Sequence, residues 1–213
     1  MKKNIFAIAF MAMLLASASV KAQDNIQLPK PSLDNNVTLM QALQNRHSAR
    51  DFADKQISND VLSTILWAAD GVNRPDNGKL TAPSASNAQD IRIYVIRQDG
   101  AYLYSPKDNS LQKASSKDLR ASVASRQTAI ASAPLALVLV SDHNKFGGNS
   151  DRATRVGVVD AGYISQNICL ACSALGLNTV PRMTMDVETL KKELNLDDNF
   201  DFIINNVIGY PKK

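Results

Sequence analysis

The longest regular pattern in the chain covers residues 151–176, DRATRVGVVDAGYISQNICLACSALG. Asp151 is placed to cap a helix at its N-terminus, and Gly176 is placed to end it. Apolar side chains occur on nearly every face of this predicted helix, as in helices buried in a core or in a subunit interface. The segment therefore predicts a long helix, extending to about Leu175, that lies inside the domain or between two subunits.

Strand patterns occur before and after this helix. Residues 135–140, LALVLV, form a continuous apolar run, which predicts a buried central strand. A last strand is predicted over residues 202–208. Residues 91–97 form another, and a hairpin turn at Asp99-Gly100 leads into a partner strand over residues 101–104.

Shorter helices are predicted from capping signals. Thr38, with Gln41 three residues later, forms a capping box for a helix that frays near Arg46. Ser58 caps a second helix, and Gly71 ends it. The remaining predictions are a polar helix over residues 117–126, a short helix capped by Asp186, and a loop over residues 72–89.

The charge balance disfavours nucleic-acid binding. The 213 residues carry 24 Lys or Arg and 20 Asp or Glu, a formal charge of +4. The first 22 residues hold Lys2, Lys3 and Lys21 and no acidic residue, so the rest of the chain carries 21 basic and 20 acidic residues. A near-neutral domain has no electrostatic footprint for nucleic acid. With 45% apolar and 21% charged residues, the composition is that of one globular domain.

The N-terminus has the pattern of a secretory signal peptide. A positively charged start precedes an apolar run from Ile5 to Ala16, and Val20-Lys21-Ala22 is a small-x-small cleavage site before Gln23. The apolar run is shorter than the roughly 20 residues that span a membrane, so stable membrane insertion is not expected. We predict a signal peptide over residues 1–22, an extended lead-in over residues 23–37, and export to the periplasm or the exterior.

The segment Arg46-His47-Ser48-Ala49-Arg50 follows the first predicted helix. Two guanidiniums flanking a hydroxyl can grip a phosphate, because Arg presents a planar fork of donors to phosphate oxygens. The alternative is a basic helix end that complements the helix dipole. Taken alone, these five residues fit the helix end better than the phosphate site.

The segment from Pro83 to Gln89, PSASNAQ, immediately precedes a predicted strand. Its small residues allow a planar ligand to approach the backbone, and Ser84, Asn87 and Gln89 offer donors and acceptors to the edge of a heterocycle. The alternative is an ordinary capped turn, which this segment alone favours.

Considered together, these segments resemble the FMN-dependent nitroreductase family, and within it the SagB-like branch. The resemblance also includes Asp160-Ala161-Gly162 and Gln166-Asn167 in the long helix and Gly209-Tyr210-Pro211 near the C-terminus. It covers one domain over residues 38–213. It implies a homodimeric α+β fold, with a central mixed or antiparallel sheet flanked by helices and two FMN sites at the subunit interface.

The resemblance also implies roles for individual residues. Arg46 and Ser48 are expected to hold the FMN phosphate and ribityl chain, with His47 as a packing or hydrogen-bonding neighbour. Arg50 is expected at the pyrimidine edge of the flavin, where a cation stabilises the reduced anion. The loop that approaches the same flavin from the partner subunit is expected to contain Pro83, Ser84, Ala85, Asn87 and Gln89.

The stretch Pro181-Arg182-Met183-Thr184 is expected to lie along the flavin, with the backbone N–H of Met183 or Thr184 directed at N5. Many family members have an acidic residue and Gly at these last two positions, so the resemblance implies an altered flavin face here. Many also have a basic pair after the Gly-Tyr-Pro segment, and Lys212 or Lys213 is the expected replacement on the phosphate.

The implied function is that of a flavin oxidoreductase. Bound FMN would take a hydride from a reduced donor, either NAD(P)H or a periplasmic reductant, and pass electrons to a nitroaromatic or quinone-like acceptor. No side chain is an evident catalytic acid or base. Two alternatives remain open: a SagB-like dehydrogenase that oxidises an azoline ring in a peptide, and a non-enzymatic flavin-carrying or ligand-binding module.

Cys169 and Cys172 have the spacing of a CxxC redox motif. Redox-active pairs work at a helix N-terminus, where the dipole lowers the thiol pKa, whereas these cysteines lie in the middle of the predicted helix. We therefore predict that they are small buried core residues. His47 and His143 are the two histidines, too few for a metal site with these cysteines.

Overall fold

The computed structural model describes residues 25–34 and 36–212. The predicted signal peptide, its cleavage site before Gln23 and Lys213 lie outside the described residues. Within the described part, no helix is long and apolar enough to cross a membrane.

Seven strands form one antiparallel sheet in the order β1-β6-β5-β4-β7-β9-β8, and β2 and β3 form a separate hairpin. The strands are β1 Ile26–Gln27, β2 Val72–Arg74, β3 Lys79–Leu80, β4 Ile91–Arg97, β5 Gly100–Ser105, β6 Ser110–Ser115, β7 Leu135–Asp142, β8 Asn178–Arg182 and β9 Phe200–Gly209. The sheet expected as mixed or antiparallel is therefore antiparallel.

Within the described residues, five α-helices accompany the sheet: α1 Leu39–Asn45, α2 Asn59–Asp70, α3 Arg120–Ala124, α4 Asp151–Ala174 and α5 Val187–Glu193. Short 3-10 turns cover residues 85–87, 128–130 and 143–146. Together with the sheet, these helices confirm the α+β prediction.

The capping predictions are mostly confirmed. The capping box of Thr38 and Gln41 is present, and Ser58 and Asp186 cap α2 and α5. The N-cap of α4 is Ser150 rather than Asp151, because the Ser150 hydroxyl accepts from the backbone N–H of Ala153. Asp151 lies instead in the first turn, where its charge complements the helix dipole.

Two predicted segments differ from the structure, and two further strands lacked a sequence signal. The loop predicted over residues 72–89 contains the β2–β3 hairpin, which turns at Gly78 with φ of +65°. The helix predicted over residues 117–126 is limited to α3. Strands β6 and β8 were not predicted, since both are short and lack a sustained apolar run.

Two apolar clusters lie on opposite faces of the sheet. Leu137 and Leu139 of β7 belong to the cluster that includes α2 and α4, and Val138 and Val140 belong to the cluster that includes α3 and α5. Every residue of β7 is buried. The prediction of a buried central strand is confirmed, and the fold has three layers, with helices on both faces of the sheet.

Helix α4 is buried on one face only. Its other face exposes Val159 and Tyr163, which are 53% and 49% accessible. Helix α1 packs on α4 and buries only Ala42, while Leu39 and Met40 are 64% and 70% accessible. The single chain therefore exposes large apolar side chains on both α1 and α4, two helices that pack on each other.

Candidate functional site

The segment after α1 is fixed to the edge strand β8. Helix α1 ends at Arg46, whose backbone is extended, and the N–H of Ala49 donates to the carbonyl of Thr179 at 3.0 Å. Ala49 is buried, whereas Ser48 and Arg50 on either side are exposed. The chain thus presents polar side chains outward from a backbone that the sheet holds in place.

Arg46 and His47 line a cavity of about 490 Å³ between this segment and the C-terminal half of α4. Ser173 and Asn178 lie in the same lining, and so does the carboxylate-bearing Asp51. The hydroxyl of Ser173 donates to the carbonyl of Ala42 at 2.8 Å, which docks α1 against α4 beside the cavity. We call this space the Arg46 cavity.

The two arginines of the segment face different surroundings. Arg46 is half-buried in the cavity, and its charge opposes the burial that raises the pKa of the Cys169 thiol. Arg50 lies outside that lining, and its charge adds to the burial that lowers the pKa of Arg182 at the end of β8. Neither Arg46 nor Arg50 forms an ion pair within residues 25–34 and 36–212.

The segment after β8 carries free backbone donors. Among the described residues, the N–H groups of Met183 and Thr184 have no hydrogen-bond acceptor. Asn205 of β9 holds this segment, because its Nδ2 donates to the carbonyls of Arg182 at 2.9 Å and Thr184 at 3.2 Å. The side chain of Met183 is 71% accessible, so the surface above these donors is open in the single chain.

The side chain of Arg182 points inward and is unavailable to a ligand. Its guanidinium donates to the carbonyls of Val123 and Ala124 in α3 and to the side chains of Gln127 and Asn205. Arg182 is 6% accessible. It can therefore contribute to a site only through its backbone.

The loop from Pro83 to Gln89 has an unusual backbone. Ser86, Asn87 and Gln89 have φ of +53°, +54° and +49°, values that L-residues rarely adopt. Ser84 stabilises the loop by accepting from the N–H of Gln89 at 2.9 Å. Strain of this kind persists only where the surroundings impose it, and it clusters at functional sites.

Asp160 of α4 fixes the same loop by a hydrogen bond to its backbone. Its Oδ2 accepts from the backbone N–H of Ala85 at 2.9 Å. Asp160, Asp90 and Asp70 are 3%, 0% and 5% accessible, and they form a cluster that we call the carboxyl cluster. Burial, followed by the charges of the other two carboxylates, raises the pKa of Asp70 to about 8, and burial chiefly raises that of Asp160 to about 6.

Gly157 makes this arrangement possible. A Cβ at residue 157 would lie 2.4 Å from the hydroxyl oxygen of Ser141 in β7. The Ser141 hydroxyl donates to Asp90 at 2.7 Å, so the glycine brings α4 onto the sheet where the carboxylates meet. The carboxyl cluster was not predicted, although a glycine within a long helix is a signal for close packing.

The structure does not bring the two predicted halves of the site together in one chain. The Arg46 cavity adjoins Cys169 and Ser173 of α4, while the strained loop is bonded to Asp160, nine and thirteen residues earlier on that helix. At 1.5 Å per residue these separations are about 14 Å and 20 Å. Lys212 is exposed and follows Pro211, which lines the Arg46 cavity.

The cysteines are core residues, as predicted. Cys169 and Cys172 are buried and form no disulfide. Asn206 of β9 donates to the Cys169 sulfur at 3.5 Å and accepts from the Ser165 hydroxyl. Asn205 and Asn206 were not among the predicted site residues. Two adjacent amides inside the apolar strand segment IINNVI are nevertheless a signal for buried side chains that form hydrogen bonds.

The comparisons with known proteins agree on the family. The sequence model of the nitroreductase family matches residues 43–210. A candidate nitroreductase of Methanocaldococcus jannaschii is 29% identical over 170 residues, which cover 74% of this chain and 83% of that protein.

Solved structures give the same answer. A candidate nitroreductase from Ralstonia eutropha JMP134 has a TM-score of 0.82 and 31% identity, and the match covers 89% of this chain and 90% of that one. A candidate NADH oxidase from Clostridium acetobutylicum has a TM-score of 0.58 and 22% identity over 81% of this chain and 88% of its own, which shows the shared fold. Since the family match spans most of the chain and the fold agrees, this protein belongs to the nitroreductase family and is an oxidoreductase.

Proposed function

We propose that the protein is an FMN-dependent homodimer that transfers a hydride from a reduced donor to a nitroaromatic or quinone-like acceptor. The observation that carries the proposal is the division of the site. The Arg46 cavity and the strained loop lie about 14–20 Å apart along α4, and α4 and α1 both expose large apolar side chains. A two-fold dimer burying these side chains can place the loop of one subunit against the cavity of the other.

The residues present fit FMN. The half-buried Arg46 and its neighbour His47 supply donors for a phosphate at a cavity of about 490 Å³. Arg50 is a free cation near the end of β8, suited to the pyrimidine edge of a flavin. The free N–H groups of Met183 and Thr184 are suited to a ring nitrogen.

Bound FMN supplies the hydride chemistry. The protein positions the cofactor and polarises its ring. Arg46 anchors the phosphate end, and Arg50 favours negative charge at the pyrimidine edge. Asn205 fixes the segment whose N–H groups orient the ring, and the exposed Met183 leaves one face open to reactants. None of the residues at these positions is an acid or base placed to move a proton.

The test is the visible spectrum of the purified protein under anaerobic conditions. We expect one FMN per subunit after release and chromatography, reduction by NADH or NADPH, and reoxidation by menadione or a nitroaromatic compound. If bound FMN is reduced only by a reductant other than NADH or NADPH, the assignment of FMN stands and the proposed electron donor changes. Failure to bind FMN during reconstitution would contradict the proposal.

A second candidate is oxidation of an azoline ring in a peptide. The open surface at Met183 favours it, because a peptide needs more room than a small acceptor. The E. coli microcin synthetase complex shares the fold, with a TM-score of 0.69 at 19% identity. Flavin reoxidation coupled to peptide oxidation, without turnover of nitroaromatics, would select this candidate.

The proposed location is outside the cytoplasm, on the strength of the N-terminal pattern alone. Mass spectrometry of the exported protein is expected to find Gln23 as the first residue. A chain that retains residues 1–22 would contradict this proposal without affecting the assignment of FMN.

A further inference from the structure

A second cavity, of about 680 Å³, lies beside the β2–β3 hairpin. It is bounded by the hairpin, by strands β4 and β5 and by Asn87 and Gln89 of the strained loop. It shares no lining residue with the Arg46 cavity. Its volume is in the range of small-molecule sites. We call it the hairpin cavity.

Asp70 is the buried polar group of this cavity. Its side chain lines the cavity although the residue is only 5% accessible, and it accepts no hydrogen bond from any residue in the described part of the chain. The charged groups that act on it are the carboxylates of Asp90 and Asp160, and no cation is among them. The inner end of the cavity therefore favours a positively charged partner.

The outer end has the opposite character. Lys107 and Lys145 line the cavity, are exposed, and have no ion pair or hydrogen bond through their ammonium groups within residues 25–34 and 36–212. The third cation, Arg92, is already paired with Asp142 at 2.6 Å. Two free ammonium groups at the mouth favour an anionic group there.

The lining also contains apolar side chains. Leu80, Ile91 and Ile93 are buried residues of the lining. Such side chains suit a hydrocarbon body. The cavity thus combines a buried carboxyl group, apolar walls and two exposed ammonium groups.

We propose that the hairpin cavity binds a small zwitterion, with its ammonium group on Asp70 and its carboxylate at Lys107 and Lys145. The ammonium supplies the cation that the carboxyl cluster lacks. The two ends act at once, so a molecule with both charges binds better than one with either alone. The inference goes beyond the flavin chemistry, and the cavity borders the proposed flavin site through Asn87 and Gln89, which the argument for the zwitterion does not use.

The probes are 4-aminobutanoate, 6-aminohexanoate and 8-aminooctanoate, titrated calorimetrically into the purified dimer near pH 7. Hexanoate and hexylamine are the single-ended controls. We expect at least one amino acid of the series to bind about tenfold or more tightly than either control. Because the ammonium ionises Asp70, binding is expected to release protons, measured by repeating the titration in buffers of different ionisation enthalpy. Equal binding of all probes, or no binding, would overturn the proposal.

Variants locate the two ends. Asp70→Asn is expected to lower the affinity about ten- to a hundredfold and to abolish the proton release. Lys107→Gln with Lys145→Gln is expected to lower it roughly two- to tenfold while keeping the proton release. Lys192→Gln, an exposed lysine on α5, is the matched control and should change neither quantity. If Asp70→Asn does not fold, the double lysine variant decides, and parental affinity in that variant contradicts the proposal.

Discussion

The two ends of α4 are built in different ways. At the C-terminal end, the segment beside the Arg46 cavity carries Arg46 and Arg50, which form no ion pair among the described residues. An ordinary helix end and one hydrogen bond to β8 hold this segment in place. In the N-terminal half, a strained loop is fixed by Asp160, which belongs to a cluster of buried carboxyl groups. The first end is prepared to receive an anion, and the second is prepared to hold a backbone shape.

The difference shows which end of α4 reduces the stability of the fold. The half-buried Arg46 and the exposed Arg50 carry little desolvation cost, so the Arg46 end can bind a ligand without weakening the subunit. Burying Asp70, Asp90 and Asp160 together is expensive, and it is compensated in part by protonation, as the raised pKa values of Asp70 and Asp160 show. Strain and buried charge at the loop are expected where a backbone conformation must be kept for function.

Dissociation of the proposed dimer is expected to have the largest effect, because the Arg46 cavity of one subunit would no longer meet the strained loop of the other. Met40→Glu places a charge on the exposed apolar face of α1. We expect dissociation into monomers and loss of FMN retention, measured by light scattering and flavin absorbance. Met40→Leu is the control and should remain a dimer with flavin. A monomeric variant that retains FMN at parental affinity would show that one chain suffices.

The pH dependence of stability tests the carboxyl end. Because folding raises the pKa of Asp70 to about 8, the folded state keeps a proton that the unfolded chain releases above about pH 4. The stability contributed by this proton is present at low pH and is lost as the pH rises from about 4 to 8. The loss over this pH range is on the order of 5 kcal/mol.

The measurement is urea unfolding of Asp70→Asn and the parent protein across that range. We expect the unfolding free energy of Asp70→Asn, relative to that of the parent, to be lower at pH 5 than at pH 8. Between these two pH values the variant should gain stability relative to the parent. Asp76→Asn, on the exposed turn of the hairpin, should follow the parent at every pH. Parallel curves for Asp70→Asn and the parent would refute the raised pKa.

Separate substitutions of Arg46 and Arg50 test the roles of the two arginines at the C-terminal end of α4. Arg46→Ala is expected to weaken FMN binding about ten- to a hundredfold, because it removes a charge-assisted phosphate contact. Arg50→Ala is expected to affect affinity less and to lower the flavin midpoint potential, because the reduced anion loses a neighbouring cation. Lys192→Ala is the control for loss of a surface cation. Parental affinity and potential in both arginine variants would remove the assignment.

Gly157→Ala is expected to have the smallest effect, and it acts only at the carboxyl end. The added methyl group meets the Ser141 hydroxyl at 2.4 Å, so α4 must shift from β7. The strain exceeds the gain in helix propensity, and we expect a net loss of about 1–2 kcal/mol in unfolding free energy. Gly162→Ala on the same helix, where a Cβ meets no atom of the described residues within 4 Å, should lose nothing. Equal stability of the two variants would contradict the close packing.

Local signals predicted much of the Arg46 end. The capping box of Thr38 places the end of α1, and the fixed spacing of Arg46 and Arg50 is visible in the sequence. The apolar run of β7 predicts its burial, because burial on both faces needs no alternation. These features depend on neighbours within a few residues.

The carboxyl end depends on distant contacts, so the sequence did not reveal it. Asp70, Asp90 and Asp160 come from three separate elements, and only the fold brings them together. The inward orientation of Arg182 has the same origin, since its acceptors lie on α3 and β9. The apolar stripe of α1 was visible, but a stripe does not reveal whether it faces its own core or another chain.

The most direct test of a site shared between subunits uses a heterodimer. One subunit carries Arg46→Ala and the other carries Asn87→Ala, and two different affinity tags select the mixed species. If each site combines the cavity of one subunit with the loop of the other, one site carries both substitutions and the second carries neither. We then expect one FMN per heterodimer to bind with parental affinity. If cavity and loop of the same chain formed the site, both sites would be impaired and no FMN would bind with parental affinity, which would contradict the account.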